Sequence, residues 1–163
     1  AQIIKLIHQY DIETQEEKPL KDVRKGGYTY FAENDIIIAK ISPCMENGKC
    51  ALATGLTHGI GFGSSEFHVF RANTTIIEPY YLFCLMNRES VRQQASLHLT
   101  GASGHRRVPI DFYEKMELQI PTLSEQKKIS TKIAACESDI ANAQTIIANA
   151  SVRKQAVLDK YLK

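Results

Sequence analysis

Several groups of residues in this chain carry the side chains of catalysis or metal binding, and each falls short of a site. Cys44 and Cys50, with His58 and His68, supply the atoms of a zinc set, but the cysteines lack the C-x2-C spacing that brings two thiolates to one ion. Cys44, Cys50, Cys84 and Cys136 therefore read as reduced, partly buried thiols of a cytoplasmic chain. Glu78-Pro79-Tyr80-Tyr81 has the outline of the N/D-P-P-Y loop of adenine methyl transfer, without its amide or acid and without its second proline. Glu125-Gln126-Lys127 repeats the Glu-x-Lys letters of metal-dependent nucleases, yet it belongs to the first turn of a helix rather than to a strand. Asp111, Glu114 and Glu117 share a metal only if folded together, which their spacing does not demand. Neither a P-loop nor a Gly-rich methyl-donor loop follows any strand. No catalytic residue, metal or cofactor is expected.

A second chemistry, the binding of phosphates and base edges, suits other residues better. The segment from Thr100 to Arg107 places Gly101 and Gly104, which allow close backbone approach, among the hydrogen-bonding Ser103 and His105 and the guanidinium forks of Arg106 and Arg107. Arginine suits bidentate contact with guanine or phosphate. The same letters also describe a solvated loop before a strand, with one arginine tied to a neighbouring carboxylate. Asn47-Gly48 signals a hairpin, and a tip bearing Lys49 beside Glu46 and Asn47 can enter a groove. Asn pairs with adenine and Glu accepts from cytosine, although turn chemistry alone explains Asn-Gly. Lys40, ending an apolar strand, is a phosphate contact or a snorkelling lysine. Ser64 lies in the small-residue loop Gly61 to Glu66, where a backbone can approach DNA or form a bulge.

These residues must be positioned by an alternation of short strands. In 163 residues, 44% apolar and 23% charged, one core is expected. Asp35 to Ile41 is apolar almost throughout, as a strand covered on both faces is. Ile3 to Ile7, Cys50 to Ala53, Ile60 to Phe62, Glu66 to Arg71 and Glu117 to Ile120 also read as strands, and in Glu66 to Arg71 the residues Phe67 and Val69 face away from His68 and Phe70. Lys18 to Arg24 predicts a short helix, and Glu78-Pro79 starts a longer one over Tyr80 to Ala95. No apolar run is long enough to span a membrane, and Ala1 to Lys5 is not a secretory signal; starting inside an apolar run, the chain reads as cut from a longer one.

Beyond Pro121 the period changes. From Ser124 onward Lys and Arg outnumber Asp and Glu by seven to four (+3), which leaves 13 against 14 (−1) before it, within a net charge of +2. Neither Gly nor Pro occurs after Pro121. Ile129, Ile133, Cys136, Ile140, Ala143, Ile147, Ala150, Lys154, Val157 and Tyr161 follow alternating steps of four and three, a heptad seam apolar at all but Lys154. Such a seam requires another helix, from an upstream segment or a second chain. Ile129, Ile133, Ile140, Ile147 and Val157 are its expected contacts, and a homodimer satisfies them.

In order along the chain, GYTYF at Gly27, NDIIIAKI from Asn34, SPCMENGK from Ser42, GFGSSEFHV from Gly61, TGASGHRRV from Thr100 and IPTLSEQKKI from Ile120 together resemble the target-recognition domain and spacer helix of type I restriction–modification specificity subunits. The resemblance covers residues 27 to 163. It implies two such domains in a whole subunit, held apart by an antiparallel helix pair, each domain reading half of a split site on double-stranded DNA. It also implies docking of methyltransferase (modification) subunits and, through the complex, of an endonuclease (restriction) subunit. An opening strand before Ile3 is expected in the family, so the chain reads as a fragment or a distal half. The expected fold is an α+β target-recognition domain, residues 1–121, with a twisted mixed β-sheet and packed helices, followed by a coiled-coil spacer helix over residues 122–163. Sequence-specific duplex recognition without chemistry follows. Two other readings predict the same residues: the recognition end of a single-chain methyltransferase–endonuclease, and a coiled-coil interaction module that has no steep salt-dependent affinity for DNA.

Overall fold

The computed structural model describes residues 3–8, 11–23, 26–102 and 104–162. They form two units, Ala1–Leu123 and Ser124–Lys163. In the first, strands β1 (Ile3–His8), β2 (Asp11–Pro19), β3 (Thr29–Ala32), β4 (Ile36–Ala39), β5 (Cys50–Leu52), β6 (Ile60–Gly63) and β7 (Phe67–Phe70) are joined by α1 (Leu20–Val23), α2 (Pro79–Met86), α3 (Glu89–Leu97) and α4 (Ile110–Glu114). The α+β architecture and the long C-terminal helix are both present, and the strands are shared between two sheets. One is mixed, in the order β2-β1-β6-β3 with β1 and β6 parallel; the other is antiparallel, in the order β5-β4-β7.

The unbroken isoleucine run of β4 explains this layering. Side chains alternate across a strand, so Ile37 and Ala39 enter one apolar cluster and Ile36 and Ile38 another. The first cluster joins the sheets: Phe31 from β3 packs with Ile37, Ala39 and Phe67. The second lies under the helices, where Met86 of α2, Val91 and Ala95 of α3 and Tyr113 of α4 meet β4. Phe67 and Val69 fall in the first cluster and Phe70 in the second, as the alternation in β7 requires. Val23 of α1 covers the outer side of the mixed sheet with Leu20, Ile60 and Phe62.

The glycine of β6 has a packing reason. A Cβ on Gly61 would overlap the ring of Phe31, which its register partner position brings directly over it. Gly61 is thus used internally, as the seat of a buried aromatic ring, rather than as a bulge.

Two expected elements differ. The helix over Tyr80 to Ala95 is divided into α2 and α3 at Asn87 and Arg88. Glu78 starts α2 by accepting from the amides of Tyr80 (3.1 Å) and Tyr81 (2.7 Å). It ends at Asn87, where the next residue, Arg88, turns to an extended backbone (ψ 141°), and the Arg92 guanidinium reaches back to donate to the backbone carbonyl and side-chain oxygen of Asn87, partnering a terminal carbonyl. Glu117 to Ile120 is not a strand: it finds no pairing partner among the described residues.

In the second unit α5 (Leu123–Tyr161) runs without interruption for 39 residues, about 58 Å at 1.5 Å per residue. The heptad positions therefore lie along one face, and Ile129, Ile140, Ile147 and Val157 are exposed, as are Ile146 and Tyr161 beside them. Ile133 is half-buried. No helix among the described residues is long and apolar enough to cross a membrane.

Candidate nucleic-acid interface

Three loops distant in sequence are laced together at one end of the antiparallel sheet. The loop from Thr100 is closed by mutual backbone hydrogen bonds, Thr100 N–H to Arg107 O at 2.9 Å and Arg107 N–H to Thr100 O at 2.8 Å. Its far end is fixed to the exit of β4, where Ser42 N–H donates to Arg106 O (2.9 Å) and Val108 N–H to Lys40 O (2.9 Å). Lys40 N–H in turn donates to Glu66 O at the start of β7 (2.9 Å). Within the loop, His105 N–H donates to Ala102 O at 3.0 Å. Gly101 holds a φ of +109°, and a Cβ there would lie 2.9 Å from the carbonyl oxygen of His105, so the turn requires glycine.

The side chains divide into those tied down and those offered. Arg107 grips Glu66 with both arms: Nε to Oε2 at 2.8 Å and Nη2 to Oε1 at 2.7 Å, while Nη1 donates to His105 O at 2.7 Å. Hydrogen bonding to Arg107 holds the Glu66 carboxyl below the usual carboxylate range, against the opposing pull of desolvation. Ser64 Oγ accepts from Glu66 N–H (3.1 Å), a turn that seats the carboxylate. His105 and Arg106 are exposed and Lys40 is half-buried. Arg106 Nη2 reaches only Leu99 O, at 3.4 Å, and no carboxylate pairs with it among the described residues. Ser103 lies outside the described residues.

Lys40, Ser64, His105, Arg106 and Arg107 are thus gathered on one frame, whereas Asn47 and Lys49 belong to the turn leading into β5, where Ala39 N–H donates to Lys49 O at 2.9 Å. The segment from Ile41 is wound into helical turns, with Met45 N–H on Ile41 O (3.0 Å) and Asn47 N–H on Pro43 O (3.0 Å). Gly48 follows at φ +72°, so Asn47-Gly48 ends a wound turn instead of forming a two-residue hairpin. Among the described residues, no hydrogen bond or ion pair links Asn47 or Lys49 to the Thr100 loop.

Sequence reasoning missed two carboxylates. Glu66 meets its arginine across 41 positions, which no local pattern reveals. Asp35 is buried at 1% exposure and is chelated by Arg71 through Nε (2.7 Å) and Nη2 (2.7 Å), besides accepting from Ala32 N–H at 2.7 Å. The candidate zinc set does not assemble: His68 Nε2 bonds Val108 O at 2.8 Å, and burial among Phe70 and Tyr113 pushes its pKa down. Burial raises the Cys50 thiol to about 12. Among the described residues no three His, Cys, Asp or Glu side chains converge on a metal-sized space.

The profile of the family described as Type I restriction modification DNA specificity domain matches residues 7–150. The chain belongs to this family. Its specificity-domain relatives include the Type I restriction enzyme EcoAI specificity subunit of Escherichia coli, 42% identical over 122 residues, which covers 75% of this chain and 20% of that subunit. The EcoEI specificity subunit of the same organism is 36% identical over 115 residues, 71% of this chain and 19% of its own length. The chain therefore spans about a fifth of these relatives. In fold it is similar to the HsdS subunit from Thermoanaerobacter tengcongensis, with a TM-score of 0.72 at 19% identity over 97% of this chain and 41% of that one. A chain in a solved structure of the type I R-M system gives a TM-score of 0.73 at 20% identity, covering 98% of this chain and 42% of that one.

Proposed function

We propose that this specificity domain reads one half of a split site on double-stranded DNA and performs no chemistry itself, delivering methyltransferase and endonuclease subunits to that site. The observation that carries the reading is the Thr100–Arg107 loop: a turn closed on itself by main-chain bonds and tied at its Arg107 end to two other loops, holding an exposed guanidinium and imidazole that pair with no carboxylate but Glu66 among the described residues. Rigid presentation of a few forked donors, with cations such as Lys40 nearby for phosphates, is what sequence readout in a groove requires. Asn47, Lys49, Ser64 and Ser103 complete the proposed contact set.

The test is selection of this chain, alone and with a methyltransferase subunit, on a randomised duplex pool, followed by sequencing of what is retained. Enrichment of a short half-site is expected. No enrichment in either condition overturns the proposal in favour of an interaction module built on the helix. On the selected half-site, Arg106→Ala is expected to weaken binding about tenfold to a hundredfold, the span of one bidentate base contact, and to relax preference at one position. Equal affinity and unchanged preference in a fluorescence-anisotropy titration would count against Arg106 as a reader.

We also propose that α5 is a spacer whose seam, Ile129, Ile133, Ile140, Ile147 and Val157, packs on a second helix, supplied in this isolated chain by another copy. Light scattering is expected to give twice the single-chain mass, falling to the single-chain mass for Ile140→Glu, since a carboxylate in a dry seam leaves a charge unpaired. A mass unchanged by the substitution refutes the dimer.

A further inference from the structure

Arg106 and Arg107 are adjacent and chemically identical, yet the fold treats them differently. We infer that Glu66 and Arg107 are a positioning pair that sets the Thr100–Arg107 loop, leaving Arg106 as the guanidinium the loop presents to DNA; this rests on the duplex-recognition reading above. Arginine has five N–H donors. Arg107 directs three at protein acceptors, two at the Glu66 carboxylate and one at the His105 carbonyl inside the loop it closes. Its own backbone supplies both hydrogen bonds to Thr100, and Ile41 pairs with it across the exit of β4. To offer a base the Nε–Nη2 fork it turns on Glu66, Arg107 would have to strand a partly buried carboxylate against the phosphate backbone. Arg106 has no such commitment.

Glu66 itself makes the inference testable, because charge and geometry predict opposite signs. An anion beside Lys40 and His105 opposes a polyanion, so on charge alone its removal tightens binding to every duplex. As a positioning residue it has the reverse value: without it the loop loses its register, and discrimination falls although net attraction rises.

Full-length Glu66→Gln keeps the side-chain shape without the charge, and Arg107→Lys keeps the charge without the fork. For each, affinity is measured for the selected half-site and for a scrambled duplex, and amide hydrogen exchange at Thr100 and Arg107 is followed without DNA. The expected result is a fall of about tenfold or more in the ratio of the two affinities, the scale of one lost base contact, with faster exchange at both amides in both variants. An unchanged or larger ratio overturns the inference, whatever the exchange rates; so does unchanged exchange. If the wild-type chain prefers no sequence while exchange still accelerates in the variants, the duplex-recognition reading falls and the pair stands as a loop-setting device alone.

Discussion

Phe31→Ala is expected to lower the unfolding free energy by about 3–5 kcal/mol, the cost of deleting a fully buried ring from a core that cannot collapse to fill the space. The ring is 0% exposed and, among the described side chains, is the mixed sheet's contribution to the cluster between the two sheets, against Ile37, Ala39 and Phe67 from the other sheet. Collapse is resisted because β3 and β4 are tied on both sides. Asn34 N–H donates to Ala53 O (2.7 Å), and Glu33 accepts from the amides of Gly55 (2.7 Å) and Leu56 (2.9 Å). The seat of the ring supplies an internal control. Gly61→Ala alone is expected to destabilise by about 1–3 kcal/mol through overpacking against Phe31. In the Phe31→Ala background the added methyl meets open space, and the same substitution should cost nothing further. Urea unfolding of the two single variants and the double variant measures this coupling. Additive losses would show that Phe31 is not what keeps Gly61 a glycine.

The second large effect is polar. Asp35→Ala removes the acceptor for Ala32 N–H and both oxygens that hold the Arg71 fork, and a loss of about 2–4 kcal/mol is expected. Arg71 is largely exposed and recovers hydration, so the cost falls on the half-buried amide and the vacated space. Asp35→Asn retains an acceptor for Ala32 and should recover part of the loss, measured as melting temperature. An Asn variant as unstable as the Ala variant would assign the whole effect to the charged pair. An Ala variant of wild-type stability would contradict the role altogether.

Much of this architecture follows from short-range pattern. The Ile36–Ile38 run announces two-sided burial because its alternation has no polar face, and that strand is indeed shared by both clusters. Glu78-Pro79 marks a helix start through local capping chemistry. The absence of Gly and Pro after Pro121 announces the long helix. What the sequence conceals is set by partners far away. The parallel pairing of β1 with β6 joins Lys5 to Gly61, far apart in the chain, and no pattern inside Ile3–His8 specifies it. The break between α2 and α3 contains neither breaker residue; it lies where the Arg88 backbone turns extended, with Arg92 of the next helix donating to Asn87. In the candidate interface, the loop from Thr100 is legible through its glycines and arginines. The division of labour between Arg106 and Arg107 is not, because it depends on Glu66.

The paired hydrogen bonds between Thr100 and Arg107 have an evolutionary consequence. With its ends anchored to the frame by main-chain groups, the stretch between them is held by atoms that every residue type possesses. Gly101 and Gly104 are fixed by their positive φ, whereas Ala102, His105 and Arg106 are exposed and can change identity without disturbing the sheets or the helices beneath them. Stability is inherited through the scaffold, separately from the residues the loop displays. On the proposed function, a lineage under pressure to mark its genome differently from invading DNA can alter those residues while keeping the rest of the domain, and the assembly built on it, unchanged.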